Sequence, residues 1–402
     1  MDSKLVRKGA GLEESWEVHE MKLERLFDPD LLAFHLREKN VRQQHHDALP
    51  LSVYNYSQRA QYENVWDSCV EQCRGLVVDD SGEVVARPWR KFWNLATGLR
   101  PETMPANLPT FSPEITTKLD GFLLVLSWYD NQLVFSSRGS FVSAHAKWAN
   151  DFWKARHDAT TLPAGKTCLF EGLCADLRIV VKYPEDSIVL LGVVEIETGR
   201  ELDYQDRCTV SHVLGCPLAP LHHKSIPELE AEMQTSKEGE GYVVSWLYPD
   251  RPSLKLKMRA AEYLRLHRLL TECSPRHVWD ALRSGSGIDA LLADTPKDFQ
   301  EWVNGWVMSI GRSYQEIDKA IQCYLLDALG MTLPFSLDGL EPTLERVKNN
   351  RDLRRAFAAH VKYLAGPAME GGVFTRAFSP AAYESWVWRA VEPHGEAFRR
   401  EG

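Results

Sequence analysis

The stretch "ITTKLDGFLLVLSWYDNQLVFSSRGSF", residues 115–141, contains the first indication of both fold and chemistry. Lys118 stands at the end of a short β-like run and is followed directly by Leu119, Asp120 and Gly121. Alternating apolar residues resume after this turn and predict a hairpin with its own turn at 130–131. Because an ammonium group is costly to bury, a lysine leading into a core strand suggests an amine kept for reaction. On its own, this short motif is better explained by a surface lysine before a turn.

Length and composition describe an ordinary globular protein. The chain has 402 residues, which predicts two domains, with 44% hydrophobic and 26% charged residues. Its formal net charge of −9 argues against a protein that simply coats nucleic acid, although a local basic groove remains compatible with it. The eight cysteines form no CxxC pair and no zinc-ligand spacing, so we expect reduced packing residues.

No targeting signal is evident. The sequence has no run of about 18 apolar residues of the kind that spans a membrane. Residues 1–27 lack the apolar core of a signal peptide. We therefore expect a cytoplasmic protein without a membrane partner, and a monomer.

The predicted secondary structure changes near residue 270. Residues 1–270 mix predicted strands and helices without the regular alternation of a parallel sheet, which predicts an antiparallel-rich α+β domain. The predicted strands lie at 74–88 (a hairpin), 122–139 (a hairpin), 167–173, 178–183, 187–196 and 241–247, with a helix at 143–157. Residues 271–402 show helical periodicity with Ser/Thr-Pro starts, which predicts an all-helical C-terminal domain.

Four further charged residues form a pattern with Lys118. Glu171 lies in an apolar strand, Glu240 precedes a strand, and Lys255 and Lys257 alternate on one strand face. Taken alone, each of these residues has a simpler explanation. The two lysines, for example, fit the solvated face of an edge strand. In this order they form a coherent site, because carboxylates can hold Mg²⁺ or ribose hydroxyls and ammonium groups can neutralise phosphates.

The ordered motifs resemble those of the covalent lysine nucleotidyltransferases, which comprise ATP-dependent nucleic acid ligases and RNA capping enzymes. The matching stretches are KLDG (118–121), SRGSF (137–141), LFEGL (169–173), EGYVV (240–244) and LKLKM (254–258). Within that family the chain is most similar to RNA ligases typified by phage T4 RNA ligase 1, through residues 72–95, 177–202 and 263–267. These elements, in the right order, are specific as a set.

The resemblance implies a fold and roles for the five central residues. It implies an antiparallel-sheet nucleotidyltransferase (ATP-grasp-like ligase) domain over 1–270 and a helical domain, concerned with RNA specificity, over 271–402. Lys118 would attack the α-phosphorus of ATP and carry AMP. Glu171 would contact the ribose, Glu240 a metal or its water shell, and both acids are candidate metal ligands. Lys255 and Lys257 would hold the α-phosphate and orient the leaving group.

The resemblance also implies a shell of nucleotide-binding residues. Arg74 and Lys91 would bind the outer phosphates, and either Phe92 or Trp93 would pack near the nucleotide. The remaining candidates are the turn residues Asp120 and Gly121, Arg138 where the group often has lysine, and the weaker matches Tyr56 and Tyr263. Tyr263 lies further along the chain from Lys257 than the resemblance leads us to expect. Core packing explains Phe92 and Trp93 equally well.

The function that the resemblance implies is ATP-dependent joining of 5′-phosphate and 3′-hydroxyl RNA ends, through lysyl-AMP and an adenylated RNA end. The implied cofactors are ATP and Mg²⁺, or Mn²⁺ in its place, and the implied partner is RNA, as single-stranded ends or a nicked tRNA under repair. Another covalent nucleotidyltransferase, either a DNA ligase or a capping enzyme, is disfavoured because these usually have an OB-fold where this tail reads as helical. An inactive RNA-binding relative is the third alternative.

A run of basic residues marks the C-terminal part. Residues 344–357, "LERVKNNRDLRRAF", are predicted as a helix that contains Arg346, Lys348, Arg351, Arg354 and Arg355. A solvated helix face is the simpler explanation. A contact with the phosphates of a folded RNA is the functional one.

Overall fold

The structure is a computed structural model, and it describes residues 21–157, 162–293, 295–334 and 339–398. Residues 1–20, most of the stretch inspected for a signal peptide, lie outside the described part. The chain divides into two compact units between Leu264 and Arg265. The domain division after residue 270 and the separate roles of the two parts remain predictions.

The first unit contains thirteen described strands arranged in three sheets. The strands are β1 (Val41–His45), β2 (Leu51–Tyr56), β3 (Arg74–Asp79), β4 (Val84–Ala86), β5 (Trp93–Asn94), β6 (Glu114–Lys118), β7 (Phe122–Tyr129), β8 (Gln132–Ser137), β9 (Lys166–Leu173), β10 (Ser187–Glu195), β11 (Leu221–His222), β12 (Gly241–Trp246) and β13 (Leu254–Arg259). The first sheet has the order β1-β2-β3-β4, the second β10-β9-β7-β8, and the third β11-β6-β12-β13-β5. Every pairing is antiparallel except that of β13 with β5. The predicted antiparallel α+β fold is therefore confirmed.

Helices cover the outer faces of the sheets. They are α1 (Pro29–Arg37), α2 (Gln58–Tyr62), α3 (Ser68–Gln72), α4 (Ala144–Arg156), α5 (Tyr204–Leu214), α6 (Ile226–Thr235) and α7 (Ala261–Glu272), and the division between the units falls within α7. Trp153 of α4 packs with Phe135 and Phe170 of the second sheet. Val77 of β3 and Val125 of β7 belong to the core between the first and second sheets.

The predicted hairpins form where turn residues allow a tight reversal. Gly82 has φ +82°, and Asp130 and Asn131 have φ +48° and +59°, conformations that glycine, aspartate and asparagine adopt most readily. The strand predicted at 178–183 was wrong, because this segment is irregular. The backbone N–H groups of Val180 and Val181 donate to the Asp120 carboxylate at 2.8 and 2.6 Å, so they are not available to a ladder.

The described part of the second unit is helical, as predicted, and contains no strand. Its helices are α8 (Pro275–Ser284), α9 (Ile288–Leu292), α10 (Lys297–Thr332), α11 (Leu340–Asn349), α12 (Arg351–Phe378) and α13 (Pro380–Ala390). The single helix predicted over 344–357 is two helices, because Asn350 leaves the helical conformation and its side chain caps α12. Helix α12 is itself interrupted at Gly366, which precedes a proline.

No described helix is both long and apolar enough to cross a membrane.

Candidate active site

A pocket lies where the second and third sheets face each other. The chain passes from β6 to β7 through residues 119–121, which carries the backbone from the third sheet to the second beside Lys118. The pocket encloses about 530 Å³ of space, part of it open to solvent. Its lining residues are Arg74, Trp89, Phe92, Thr116, Thr117, Lys118, Leu119, Leu123, Glu171, Leu191, Val243, Lys255 and Lys257. Six of the predicted site residues therefore line one pocket.

Lys118 is paired with an acid from the neighbouring strand end. Its Nζ lies 2.6 Å from Oε2 of Glu240, and the two side chains are 18% and 4% exposed. The register of β6 and β12 aligns Lys118 with Gly241, which brings Glu240 next to it. The other Glu240 oxygen lies 3.0 Å from Nε of Arg259. Arg259 was missed by the sequence reasoning, although it continues the alternation of Lys255 and Lys257 along β13.

Glu171 lies beneath the turn that follows Lys118. Its Oε1 accepts a hydrogen bond of 3.0 Å from the backbone N–H of Gly121. A side chain at position 121 would overlap the carbonyl oxygen of Gly172, so glycine permits this close approach. Burial raises the pKa of Glu171 to about 7, and nearby Lys118 opposes part of that rise. The carboxyl group is therefore partly protonated near neutral pH and can donate as well as accept.

Asp120 and Tyr263 contact each other instead of the pocket. The buried Asp120 carboxylate accepts a 2.7 Å hydrogen bond from the Tyr263 hydroxyl in addition to the two backbone N–H groups of 180–181. Its own backbone N–H donates to the Tyr183 hydroxyl at 2.8 Å. Asp120 therefore ties the turn after Lys118 to the segment 177–183 and to α7. Neither Asp120 nor Tyr263 is among the residues that line the pocket.

Arg74, Phe92 and Lys257 form a cationic wall of the pocket. The guanidinium carbon of Arg74 lies 5.3 Å from the centroid of the Phe92 ring, and Nζ of Lys257 lies 4.5 Å from it. Nη1 of Arg74 is buried and has no hydrogen-bond partner among the described residues. Burial, followed by the charges of Arg74 and Lys118, holds the pKa of Lys257 well below its usual value. A wall of this kind suits an anion, because unneutralised buried cations gain most from a negative partner.

Lys91 lies in an aromatic cage formed by Tyr56, Trp66 and Trp93. Its Nζ is 5.2, 4.9 and 5.0 Å from the three ring centroids, within the range of cation–π attraction. Of the two aromatic candidates that the sequence left open, Phe92 lines the pocket while Trp93 belongs to this cage. Trp66 was missed, and no motif in its neighbourhood signals it.

Tyr56 connects this aromatic cage to Arg138. The guanidinium of Arg138 lies 5.2 Å from the Tyr56 centroid and donates a 3.4 Å hydrogen bond to its hydroxyl. Burial alone would raise the pKa of Tyr56, but the charges of Arg74, Arg138 and Lys91 outweigh it and lower that pKa. Positive charge therefore extends from the pocket wall to the aromatic cage.

Lys255 differs from Lys257 in having an acidic partner. Its Nζ lies 2.7 Å from Oε2 of Glu201 and donates to the Ser245 hydroxyl at 2.9 Å. Glu201 was not among the predicted site residues. The two lysines of β13 therefore have different surroundings, although the sequence pattern treats them alike.

The carboxylates fit a metal ion that arrives together with phosphate oxygens. The described residues contain no group of three or more His, Cys, Asp or Glu side chains that could hold a metal on their own. Glu240 lies near Glu171, because the Glu240 charge contributes to the raised pKa of Glu171. One or two carboxylates with substrate phosphates are a common Mg²⁺ environment.

Comparison with known proteins finds similarity to RNA ligases. Residues 72–248 match a family model described as RNA ligase. A "Putative RNA ligase" of Thermovibrio ammonificans is 25% identical over 208 residues, which are 50% of this chain and 54% of that protein. RNA ligase 1 of bacteriophage TS2126 is 23% identical over 331 residues, which are 79% of this chain and 69% of that protein. The chain thus matches little more than half the length of the Thermovibrio protein.

Solved structures of RNA ligases are also among the similar proteins. An archaeal ATP-dependent RNA ligase is 14% identical and covers 83% of this chain and 78% of its own, with a TM-score of 0.41. A mutant Naegleria gruberi RNA ligase with ATP and Mn is 15% identical and covers 39% of this chain and 51% of its own, with a TM-score of 0.30.

The fold and the pocket define the class first. An antiparallel α+β unit whose pocket gathers a strand-end lysine paired with one acid, a second acid in its lining and a lysine pair has the arrangement expected of a nucleotidyltransferase. Within that class, residues 72–248 are similar to RNA ligases, which agrees with the resemblance that the motifs indicate.

Proposed function

We propose that this protein is an ATP-dependent RNA ligase that joins a 5′-phosphate to a 3′-hydroxyl. The observation that supports this most is the gathering of Lys118, Glu171, Lys257 and Arg74 around one pocket. An amine beside two carboxylates and a cationic wall suits attack on a phosphate that carries a good leaving group.

Lys118 is the proposed nucleophile. Its amine attacks the α-phosphorus of ATP, the new N–P bond forms, and the bond to pyrophosphate breaks. The amine must first lose a proton, to the Glu240 carboxylate or to solvent, and leave its ion pair with Glu240. Glu240 and Glu171 would hold Mg²⁺ or Mn²⁺, which would supply positive charge that offsets the phosphates. Because Glu240 stabilises the protonated amine, loss of this ion pair favours the attack.

Other residues in the pocket and beside it position the nucleotide. Glu171 faces the turn beside Lys118, where it accepts from or donates to a ribose hydroxyl. Lys257 and Arg74 neutralise phosphate oxygens, and Arg138 and Lys91 extend that charge toward the outer phosphates. Preorganised cations of this kind stabilise the charge that develops during transfer.

The later steps pass AMP to RNA. An oxygen of the RNA 5′-phosphate attacks the phosphorus of lysyl-AMP, the N–P bond breaks, and the amine of Lys118 is restored. The 3′-hydroxyl then attacks the adenylated 5′ end and AMP leaves with the bonding electron pair. Single-stranded ends or a nicked tRNA are the proposed substrates, and a monomeric cytoplasmic enzyme acting in RNA repair is part of the proposal.

The C-terminal helices are proposed to contact RNA. Arg346 on α11 and Arg351, Arg354 and Arg355 on α12 are all exposed. The two helices meet at Asn350, so these arginines surround one helix junction. Exposed cations of this density suit the phosphates of a folded RNA.

The test is transfer of label from α-labelled ATP to the protein with Mg²⁺. We expect label on the wild type and on a Lys147→Ala control, since Lys147 is an exposed lysine outside the pocket, and none on Lys118→Ala. A chase with 5′-phosphorylated single-stranded RNA should remove the label as circles or joined products appear. Equal labelling of Lys118→Ala would disprove the nucleophile.

Parallel reactions separate the alternatives. Nicked duplex DNA as the preferred acceptor would identify a DNA ligase, and labelling by GTP with transfer to triphosphate-ended RNA would identify a capping enzyme. A wild type that takes no label from either nucleotide would support an inactive RNA-binding relative.

A further inference from the structure

Behind the pocket lies a set of charged side chains that joins Lys255 to three residues not among the predicted site residues. We call Glu114, Glu201, Arg207 and Lys255 the buried charge network. Glu201, Arg207 and Lys255 are only 1%, 2% and 4% exposed, and Glu114 is 21% exposed. Charges this deeply buried are stable only when they are paired and hydrogen-bonded.

Glu201 is the centre of the network. Its Oε2 lies 2.7 Å from Nζ of Lys255 and accepts a 2.9 Å hydrogen bond from the Ser253 hydroxyl. Its Oε1 accepts a 3.1 Å hydrogen bond from Nη1 of Arg207. Arg207 in turn pairs with Glu114. Both oxygens of Glu201 are thus engaged, and one of them holds Lys255.

The network reaches the pocket through Lys255 and Trp89, which both line it. Nζ of Lys255 lies 4.1 Å from the Trp89 ring centroid. A side chain at Gly192 would overlap the Trp89 ring and lie 3.0 Å from Oε1 of Glu201. The glycine in β10 therefore allows the indole and the carboxylate to close around the Lys255 ammonium.

Lys257 of the same strand can be compared directly with Lys255. It lies two residues along the same face of β13, yet its ammonium has no hydrogen bond or ion pair to a described residue. Its contact is the face of Phe92 in the pocket wall. The two lysines therefore have different tasks: Lys257 is free for a phosphate, whereas Lys255 is fixed by a carboxylate.

We infer that Glu201 is a positioning residue for the adenylation step, holding charged Lys255 in one place at the pocket wall. This inference rests on the proposed function. Without Glu201 the buried ammonium loses its acidic partner and its fixed position, so the geometry of phosphate transfer suffers. Glu201 itself is not among the residues that line the pocket.

The experiment is a double-mutant cycle on the full chain with Glu201→Gln, Lys255→Met and the combined variant. The matched control is Glu195→Gln, which removes an acid of a more exposed ion pair with Arg200, six residues before Glu201. Single-turnover labelling from α-labelled ATP and equilibrium ATP binding are measured on each variant. Both are normalised to the folded fraction from circular dichroism.

We expect Glu201→Gln to slow labelling about 10- to 100-fold per folded molecule, as loss of an outer-shell partner commonly does. The combined variant should be no slower than Lys255→Met alone, because Glu201 acts through Lys255. Glu195→Gln should match the wild type. The inference would be overturned if the fold-losses in labelling rate of the two single variants multiplied in the combined variant. Unchanged labelling per folded molecule in Glu201→Gln would also overturn it.

The two readouts separate this inference from the proposed function. A wild type that binds ATP but takes no label would refute the ligase chemistry, and the cycle on ATP affinity would still test whether Glu201 acts through Lys255. Wild-type protein that neither binds ATP nor takes label would overturn both.

Discussion

At the scale of single residues, the pocket concentrates positive charge that protein groups neutralise only in part. Lys118 has Glu240 and Lys255 has Glu201, whereas Lys257 has no acidic partner among the described residues. Removing such cations from water carries a cost that an anionic ligand would offset. The pocket is therefore built for a phosphate-bearing ligand at the expense of stability without one.

Glu171→Gln should stabilise the protein at alkaline pH. Burial raises the pKa of Glu171 to about 7 from a usual value of 4.5, so the folded chain keeps a proton that the unfolded chain releases. Stability contributed by the protonated group is therefore lost as pH rises from about 4.5 to 7. The variant should gain up to about 3 kcal/mol at pH 8.5 and almost nothing at pH 4.5.

Urea unfolding at both pH values measures this difference, with the exposed Glu238→Gln as control. An equal effect of Glu171→Gln at the two pH values would show that the carboxyl group is not protonated in the folded state. The same variant should slow lysine adenylation, because an amide replaces a group proposed to contact the ribose.

At the scale of elements, Asp120 joins three separate parts of the chain. It belongs to the turn after β6, it accepts two backbone N–H groups from 180–181, and it binds the hydroxyl of Tyr263 in α7. Asp120 thus holds the turn after Lys118, an irregular segment and a helix together.

Tyr263→Phe should destabilise the protein by about 1 to 2 kcal/mol, because Asp120 loses a hydrogen bond in a buried place. The Michaelis constant for ATP should stay near that of the wild type, since Tyr263 does not line the pocket. Thermal unfolding and initial-rate kinetics check the two parts. A tenfold rise in this constant at unchanged stability would instead indicate direct nucleotide contact.

Reversing charge at Arg351 and Arg354 should raise the Michaelis constant for a structured RNA about tenfold, because phosphate contacts supply much of the affinity for RNA. Lysine adenylation should be unaffected. The control reverses Lys297 and Arg312, which are exposed and lie on α10, not on α11 or α12. An unchanged RNA dependence would assign the arginines to a solvated helix face.

At the scale of the whole molecule, each unit has its own hydrophobic core. Phe170 and Leu190 belong to one of several clusters in the first unit, and Leu325 and Phe357 belong to the main cluster of the second. The pocket is lined by residues of the first unit alone. The chemistry of lysine adenylation should therefore depend on that unit.

A chain that ends after Glu272, at the end of α7, should still take label from α-labelled ATP within about threefold of the full-length rate. It should ligate structured RNA poorly if the helical unit supplies RNA contacts. Labelling assays on the truncated and full-length proteins, with circular dichroism to confirm folding, measure this. A folded truncated chain that takes no label would show that adenylation needs the second unit.

Much of the site was predictable from the sequence because local pattern carries it. Lys118, Glu171, Glu240 and the lysine pair occur in a fixed order beside glycines and strand patterns, and the structure places all five at or beside one pocket. The order of such motifs can be recognised in the sequence without knowledge of the fold. The hairpins at 80–82 and 130–131 were predictable for the same reason, because turn residues act locally.

Other features depend on residues that are distant in sequence, and only the tertiary structure determined them. The choice of Phe92 over Trp93 for the pocket, the partnership of Glu201 with Lys255, and the cage around Lys91 each require sheet packing to bring remote residues together. The irregular segment at 178–183 has a strand-like pattern, but Asp120 binds its backbone. The sequence by itself determined which chemical groups are present and in what order, while packing decided which partner each buried charge has, because that depends on three-dimensional distance.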